Sequence, residues 1–308
     1  MVIAVFGAEG QVGREILRRA PSGLDIRGLS RTEADITDAG RVDEAIAGLR
    51  PDVVVNAAAF TAVDAAEGDG RERAWAVNGT GAGHLAATCA RHGRPLIHLS
   101  TDYVFDGEAD APYDEEARPN PISVYGASKL AGEEAVRDRL SAHVILRTAW
   151  VFGFHGANFV KTMLRLGGER PEIAVVDDQR GGPTWAGAIA DTVLTVAARI
   201  GGAPVTGAGP WGLYHYCGAP TVTRFDFARA IYDEAVRAGL LPEAPRLVPV
   251  SSGHFPVPAR RPANSALDCR RLAQTFGILQ PDWRAGLAAM TDELAAAARA
   301  NERQGERR

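Results

Sequence analysis

The apolar run Val2 to Phe6 passes without a spacer into Gly7-Ala8-Glu9-Gly10-Gln11-Val12-Gly13, and a helical pattern through Ile16 and Leu17 follows at once. An unbroken apolar run of this length is what a strand buried on both faces of a parallel sheet requires. The order strand, glycine turn, helix start is the one that a pyrophosphate site needs. Gly7 permits the tight turn, Gly10 lets phosphate oxygens approach the backbone, and Gly13 lets the helix pack closely on the strand. The helix N-terminus, with the amides of Gln11 and Val12, then faces the anion.

The same alternation continues down the chain. A strand is expected at Leu24 to Leu29, another at Val53 to Val55, a helix around Arg73 to Arg91, and a strand at Pro95 to Leu99. The helix Tyr125 to Arg139 and the strand Val144 to Arg147 follow. Strands alternating with helices over this span predict an α/β fold, a Rossmann-type doubly wound parallel sheet. The second strand ends in Ser30-Arg31, where a site for NAD would carry an acid for the ribose hydroxyls. A hydroxyl and a cation suit a 2′-phosphate, so NADPH is the preferred cofactor and NADH a possible one. Asp35-Ile36 lies just beyond. The third strand ends in Asn56-Ala57-Ala58-Ala59, with Thr61 soon after, and small residues there leave room for a ligand above the sheet.

Composition narrows the function classes. In 308 residues with a formal charge of −4 the acids and bases are interspersed, so no basic stripe points to nucleic acid or a membrane surface. Cys89, Cys217 and Cys269 are far apart in sequence and lack metal-ligand spacing, which suits buried thiols in a reducing compartment. No apolar stretch approaches a bilayer span, and no basic segment precedes Val2, so a cytoplasmic location is expected.

Tyr125 and Lys129 stand four apart, on one face of the expected helix. Lys129 is one of only two lysines in a chain that otherwise uses arginine, so a compact ammonium is called for there. Three segments converge with this pair: Leu99-Ser100-Thr101-Asp102-Tyr103-Val104-Phe105-Asp106-Gly107, Tyr125 to Glu133, and Arg147-Thr148-Ala149-Trp150-Val151-Phe152-Gly153. Together they resemble the extended short-chain dehydrogenases/reductases, and within them the dTDP-4-dehydrorhamnose reductases. Asn56 to Asp64, Asn158 to Met163, Asp178 to Thr184 and Arg261 to Ser265 fit the same pattern in the same order.

That resemblance implies NADPH-dependent reduction of the C4 keto group of a dTDP-sugar. Thr101 would hydrogen-bond the substrate carbonyl and Tyr125 would donate the proton. Lys129 would hold the nicotinamide ribose and, with the oxidised nicotinamide, lower the Tyr125 pKa. Leu99 would line the cofactor site, Asp102, Tyr103 and Trp150 would contact substrate, and Arg261 would clamp its diphosphate. His98 is expected to be structural and His215 to be a packing or surface residue. Related dehydratases carry an acid directly after the Thr-Asp pair; here Tyr103 stands there, which disfavours dehydration and leaves an epimerase as the enzymatic rival. A dinucleotide-binding regulatory subunit is the alternative from another class.

In some such reductases a metal held by glutamates joins two subunits. Glu15 and Glu293 match two of those positions but Gly187 stands at the third, so no metal bridge and a monomer or weak homodimer are expected. The expected organisation is a dinucleotide-binding domain over 1–153, with return elements at about 185–218, and a discontinuous substrate lobe from 154–176 and 221–308. Within it, Ala186 to Arg199 reads as a helix, Gly212 to Gly218 as a strand returning to the main sheet, and the Ala-rich C-terminus as a frayable tail ending at 302–308.

Overall fold

Along Val2–Phe6 (β1) the side chains alternate between two cores: Ile3 and Val5 pack with one cluster, Ala4 and Phe6 with the other, and all four are fully buried. Val53–Asn56 (below, β3) repeats the pattern, with Val53 and Val55 on one side and Val54 on the other. Both runs lack polar alternation because neither face meets water. The computed structural model describes residues 1–202 and 209–305.

After β1 come α1 (Gln11–Arg18), β2 (Asp25–Leu29), α2 (Ala39–Leu49) and β3. The helix expected at Arg73 to Arg91 is broken in character: α3 (Arg71–Ala74) passes into a π-helical stretch, Trp75–Gly81, and resumes as α4 (Ala82–His92). Then follow β4 (Leu96–Thr101), α5 (Val124–Arg139) and β5 (His143–Thr148). The remainder comprises β6 (Val151–Phe152), α6 (Phe159–Glu169), β7 (Glu172–Val176), β8 (Arg180–Gly181), β9 (Thr184–Trp185) and α7 (Ala186–Ile200). It ends with β10 (Gly212–His215), β11 (Val222–Thr223), α8 (Arg224–Arg237), β12 (Arg246–Val250), β13 (Asn264–Ser265), α9 (Arg270–Phe276) and α10 (Trp283–Gly305). Of the tail expected at the C-terminus, α10 carries the chain to Gly305 and 306–308 lie outside the described residues.

Six parallel strands form the main sheet in the order β10-β5-β4-β3-β1-β2. From β1 the chain steps outward to β2 and then crosses to β3 on the other side, so the strand order reverses between β1 and β3. In open parallel sheets the crevice above such a reversal, at the carboxyl ends of the strands, is where ligands bind. The β4 ladder runs two residues further than expected, pairing Thr101 with Thr148 at the ends of β4 and β5.

A further core lies beyond the sheet, where Phe152, Met163, Phe227, Tyr232, Trp283, Leu287 and Met290 pack together. It is built from β6, α6, β7, α8 and α10, with the ring of Phe227 at 5.4 Å from that of Trp283. All three cysteines are buried and free, and the fold brings Cys217 and Cys269 to an Sγ separation of 3.9 Å. Among the described residues no helix is long and apolar enough to cross a membrane.

Candidate active site

The glycine turn has the geometry that its spacing requires. Gly7 adopts φ +79°, and a Cβ there would lie 2.4 Å from the Ala58 amide nitrogen, while one on Gly13 would lie 2.3 Å from the Gly7 carbonyl oxygen. Neither position tolerates a side chain, so the backbone stays open at the start of α1. A cavity here is lined by Gly7, Gly10, Arg31, Asp35, Ile36, Ala57 and Ala58, all expected from the sequence, and also by Glu9, Phe60 and Arg73. The cradle fits a dinucleotide: bare backbone at a helix N-terminus for the pyrophosphate and a cation at the end of β2. Gln11 reaches away to accept from Asn158 Nδ2 at 3.1 Å, and Val12 packs against the core. Thr61 is exposed.

At the end of β2, Arg31 is exposed and bonds Asp35 at 3.2 Å. Ser30 is engaged too: its amide and hydroxyl donate to one carboxylate oxygen of Glu33 at 2.8 and 2.6 Å.

Across the crevice, β4 delivers Thr101 and α5 delivers Tyr125 and Lys129. Helix α5 starts here because Ser123 caps it, its hydroxyl accepting from the Gly126 amide, and because Glu67 accepts from the Val124 amide at 2.7 Å. Lys129 Nζ donates to the Leu99 carbonyl at 2.7 Å, which ties the middle of α5 to β4. Thr101 Oγ1 donates to Asp102 Oδ1 at 2.9 Å, and the Tyr103 ring meets Tyr125 edge-on at 5.3 Å.

Electrostatics follow burial. Tyr125 is pushed upward by desolvation, opposed by the Thr101 hydroxyl. Lys129, expected to lower it, is not among the groups that shift it here; loss of water penalises a phenolate in the closed site. Burial lowers Lys129 to about 8, with Glu133 pulling the other way. Asp102 is raised by burial; its Oδ2 is buried with no hydrogen-bond partner in this geometry, although Ser265 lies close enough to hold the carboxyl down somewhat.

Beneath this layer lies a network with no exposed member. Glu133 accepts from Ser100 Oγ, from Arg147 Nε at 2.8 Å and from Arg147 Nη2 at 2.6 Å, linking α5, β4 and β5. His215, fully buried on β10, bonds the Tyr113 carbonyl at 3.1 Å and sits 3.5 Å from Arg147, and burial drops its pKa to about 3. His98 pairs with Asn56 at 3.0 Å. Both histidines are packed, as expected.

On the substrate side, Trp150 adopts φ +47°, an uncommon backbone for a bulky residue, next to the end of β5. The Arg224 guanidinium lies 3.5 Å over its ring, at the start of α8. Desolvation lowers Arg224 to about 10, while Tyr103 and Asp102 help to keep its charge. No carboxylate pairs with it among the described residues. Arg261 differs: it grips Asp64 through two bonds of 2.6 Å. The sequence reading missed Arg224, because no local motif marks an arginine whose role depends on a tryptophan 74 positions earlier. Far from the crevice, Arg18 bonds both Glu15 at 2.7 Å and Glu293 at 3.2 Å. A cation therefore stands between the two glutamates.

Comparison with known proteins agrees over most of the chain. The family described as RmlD substrate binding domain matches residues 1–296. The dTDP-4-dehydrorhamnose reductase of Burkholderia thailandensis is 45% identical over 286 residues, covering 92% of this chain and 96% of that protein. Among solved structures, a dTDP-4-dehydrorhamnose reductase from Clostridium acetobutylicum superposes with a TM-score of 0.87 at 35% identity, over 96% of this chain and 99% of that one. The enzyme of the same name from Bacillus anthracis, solved in complex with NADP, gives 0.86 at 34% identity over 95% and 99%. With the dinucleotide cradle, the Tyr-Lys helix and this similarity in one continuous chain, the protein belongs to the dTDP-4-dehydrorhamnose reductases, a family of NAD(P)H-dependent oxidoreductases.

Proposed function

We propose that this chain reduces the C4 keto group of dTDP-4-dehydro-L-rhamnose with NADPH to give dTDP-L-rhamnose, for rhamnose-containing cell-surface polysaccharide. The observation that carries this reading is that Thr101 stands at the carboxyl end of β4 while Tyr125 and Lys129 share the buried face of α5, which Lys129 ties to β4 through the Leu99 carbonyl at 2.7 Å. NADPH, when bound, supplies the hydride. Gly7, Gly10 and Gly13, with the amides at the start of α1, hold its pyrophosphate, and Ser30 and Arg31 hold the 2′-phosphate.

Tyr125 is the proton donor. The upward push of burial keeps its hydroxyl protonated at neutral pH, which suits a group that must give a proton to the C4 oxygen. Thr101 orients that oxygen. Lys129 holds the nicotinamide ribose, and its tether to the Leu99 carbonyl fixes the ammonium before ligands arrive. Asp102 offers its unpartnered Oδ2 to a sugar hydroxyl, with Trp150 as the wall beside it. Arg224 takes the diphosphate, since it lies against Trp150 with no salt-bridge partner among the described residues, whereas Arg261 is already paired with Asp64. The chain divides accordingly into the dinucleotide-binding portion, 1–153 with its return elements, and a substrate lobe built from 154–176 and 221 onward.

Purified protein given NADPH and dTDP-4-dehydro-L-rhamnose should consume the reduced cofactor in step with the sugar. Interconversion of sugars without net loss of cofactor would make it an epimerase, and no turnover of any 4-keto sugar nucleotide would leave the regulatory reading. Within the reductase, Arg224→Ala should raise the KM for the sugar nucleotide about tenfold or more, the loss of one charge-assisted contact. An unchanged KM would remove Arg224 from the diphosphate site.

A further inference from the structure

The Ser30 amide and hydroxyl are the hydrogen-bond donors that a cofactor 2′-phosphate would use, and both already point at one oxygen of Glu33, at 2.8 and 2.6 Å. The Glu33 amide donates back to the Ser30 hydroxyl at 3.3 Å, and Thr32 Oγ1 lies 3.0 Å from the same hydroxyl. Those hydrogen bonds from Ser30 hold the Glu33 carboxyl below its ordinary range, so it is ionised at neutral pH. Around it, Arg31 is bonded to Asp35 at 3.2 Å and Arg41 to the Thr32 carbonyl at 3.0 Å. The rim's charges are mixed, Arg31, Arg41 and Arg73 standing against Glu9, Glu33 and Asp35, so what opposes a phosphate is local: the Glu33 carboxylate seated on the Ser30 donors. A dianionic phosphate arriving there meets donors that are occupied and a carboxylate that repels it.

We propose that Glu33 is a specificity-determining residue of the cofactor rim, an internal anion that occupies the 2′-phosphate donors and so holds the preference for NADPH over NADH down. Glu33 must swing away for the 2′-phosphate to reach Ser30. NADH makes no such demand, and its ribose hydroxyls can donate to the carboxylates that remain. The inference rests on the assignment of Ser30 and Arg31 to the 2′-phosphate. The arrangement also has the form of a helix-capping box, Ser-x-x-Glu, in which glutamine serves as well as glutamate. That equivalence separates the two roles: Glu33→Gln keeps the turn and removes the charge.

The test is calorimetric binding of NADP⁺ and NAD⁺, and of 2′,5′-ADP against 5′-AMP, to the wild type, Glu33→Gln and Arg31→Ala, with melting temperatures to confirm folding. Glu33→Gln should tighten NADP⁺ and 2′,5′-ADP by about fivefold, with NAD⁺ and 5′-AMP moving less than about twofold. An NADP⁺ affinity unchanged or weakened in Glu33→Gln, while Arg31→Ala still weakens NADP⁺ selectively, would overturn the role of Glu33 and leave the phosphate site standing. An Arg31→Ala variant that leaves the NADP⁺ to NAD⁺ ratio untouched would instead overturn the site itself.

Discussion

Glu133 and Arg147 are 0% and 1% exposed and share two hydrogen bonds under the catalytic helix, whereas Arg31, at the cofactor rim, is 66% exposed and touches its partner Asp35 once. Both regions use opposite charges in one protein, but for different ends. A buried ion pair is no cheap source of stability, because desolvation of both charges offsets most of their attraction. What Glu133 and Arg147 provide is position: with Ser100 they lock α5 to β4 and β5, so that Tyr125, Lys129 and Thr101 meet in one place. The rim pairs are screened by water and salt and exchange partners readily, which suits the proposed role of that rim in sorting one cofactor from another.

The widest gap between the two should appear on breaking the buried pair. Glu133→Ala leaves the buried Arg147 guanidinium without its carboxylate, and should lower stability by about 3–5 kcal/mol in denaturant titrations. Replacing both residues by methionine should return much of that stability while activity stays depressed, because the desolvation cost disappears but the lock on α5 does not return. Full activity in the double variant would refute the positional role.

A second effect concerns Lys129. Its pKa of about 8 in the fold lies below the ordinary 10.5, so above pH 8 it loses the charge assigned to holding ribose, and kcat/KM should fall with an apparent pKa near 8. Stability runs the other way. Between about 8 and 10.5 the unfolded chain binds the proton that the folded one has released, so this group's contribution to stability rises with pH across that window. Lys129→Met should flatten that rise. Glu133→Gln removes the carboxylate that holds the ammonium up, and should move the fall in activity to lower pH; a profile that stays in place would contradict the coupling.

The smallest effect belongs to the rim. Arg31→Ala should change stability by less than about 0.5 kcal/mol, as expected of an exposed residue. It should raise the KM for NADPH by a few-fold at low ionic strength and by less as salt increases. Equal effects on NADPH and NADH would dissociate Arg31 from the 2′-phosphate.

The same contrast explains what could be read from the amino-acid sequence. Gly7, Gly13 and the apolar strands announce themselves because local backbone geometry and two-sided burial constrain each residue in place. Thr101, Tyr125 and Lys129 were legible from a spacing on one helix and a resemblance at one strand end. Partnerships across the chain were not. Asp64 reaches Arg261 across 197 positions, and Glu133 finds Ser100 and Arg147 on different strands, so nothing local distinguishes them from solvated charges. The π-helical stretch Trp75–Gly81 escaped for another reason. Apolar periodicity over Arg73 to Arg91 reads as one helix, while the wider turn carries Asn78, which bonds both the amide and the carbonyl of Phe60 and the Ser128 hydroxyl. The upward push on Tyr125 was hidden as well, because burial is a property of the folded site and not of the Tyr-x-x-x-Lys spacing.

The central claim is that a buried, protonated Tyr125 gives its proton to the C4 oxygen in a site whose cofactor cradle is independent of it. The most direct measurement follows the absorbance of the reduced nicotinamide with NADPH and dTDP-4-dehydro-L-rhamnose, comparing wild type with Tyr125→Phe and measuring NADPH affinity in both. The account predicts that the variant binds NADPH within about twofold of wild type and loses roughly 10²–10⁴-fold in kcat. A variant that turns over within a few-fold of wild type would contradict it.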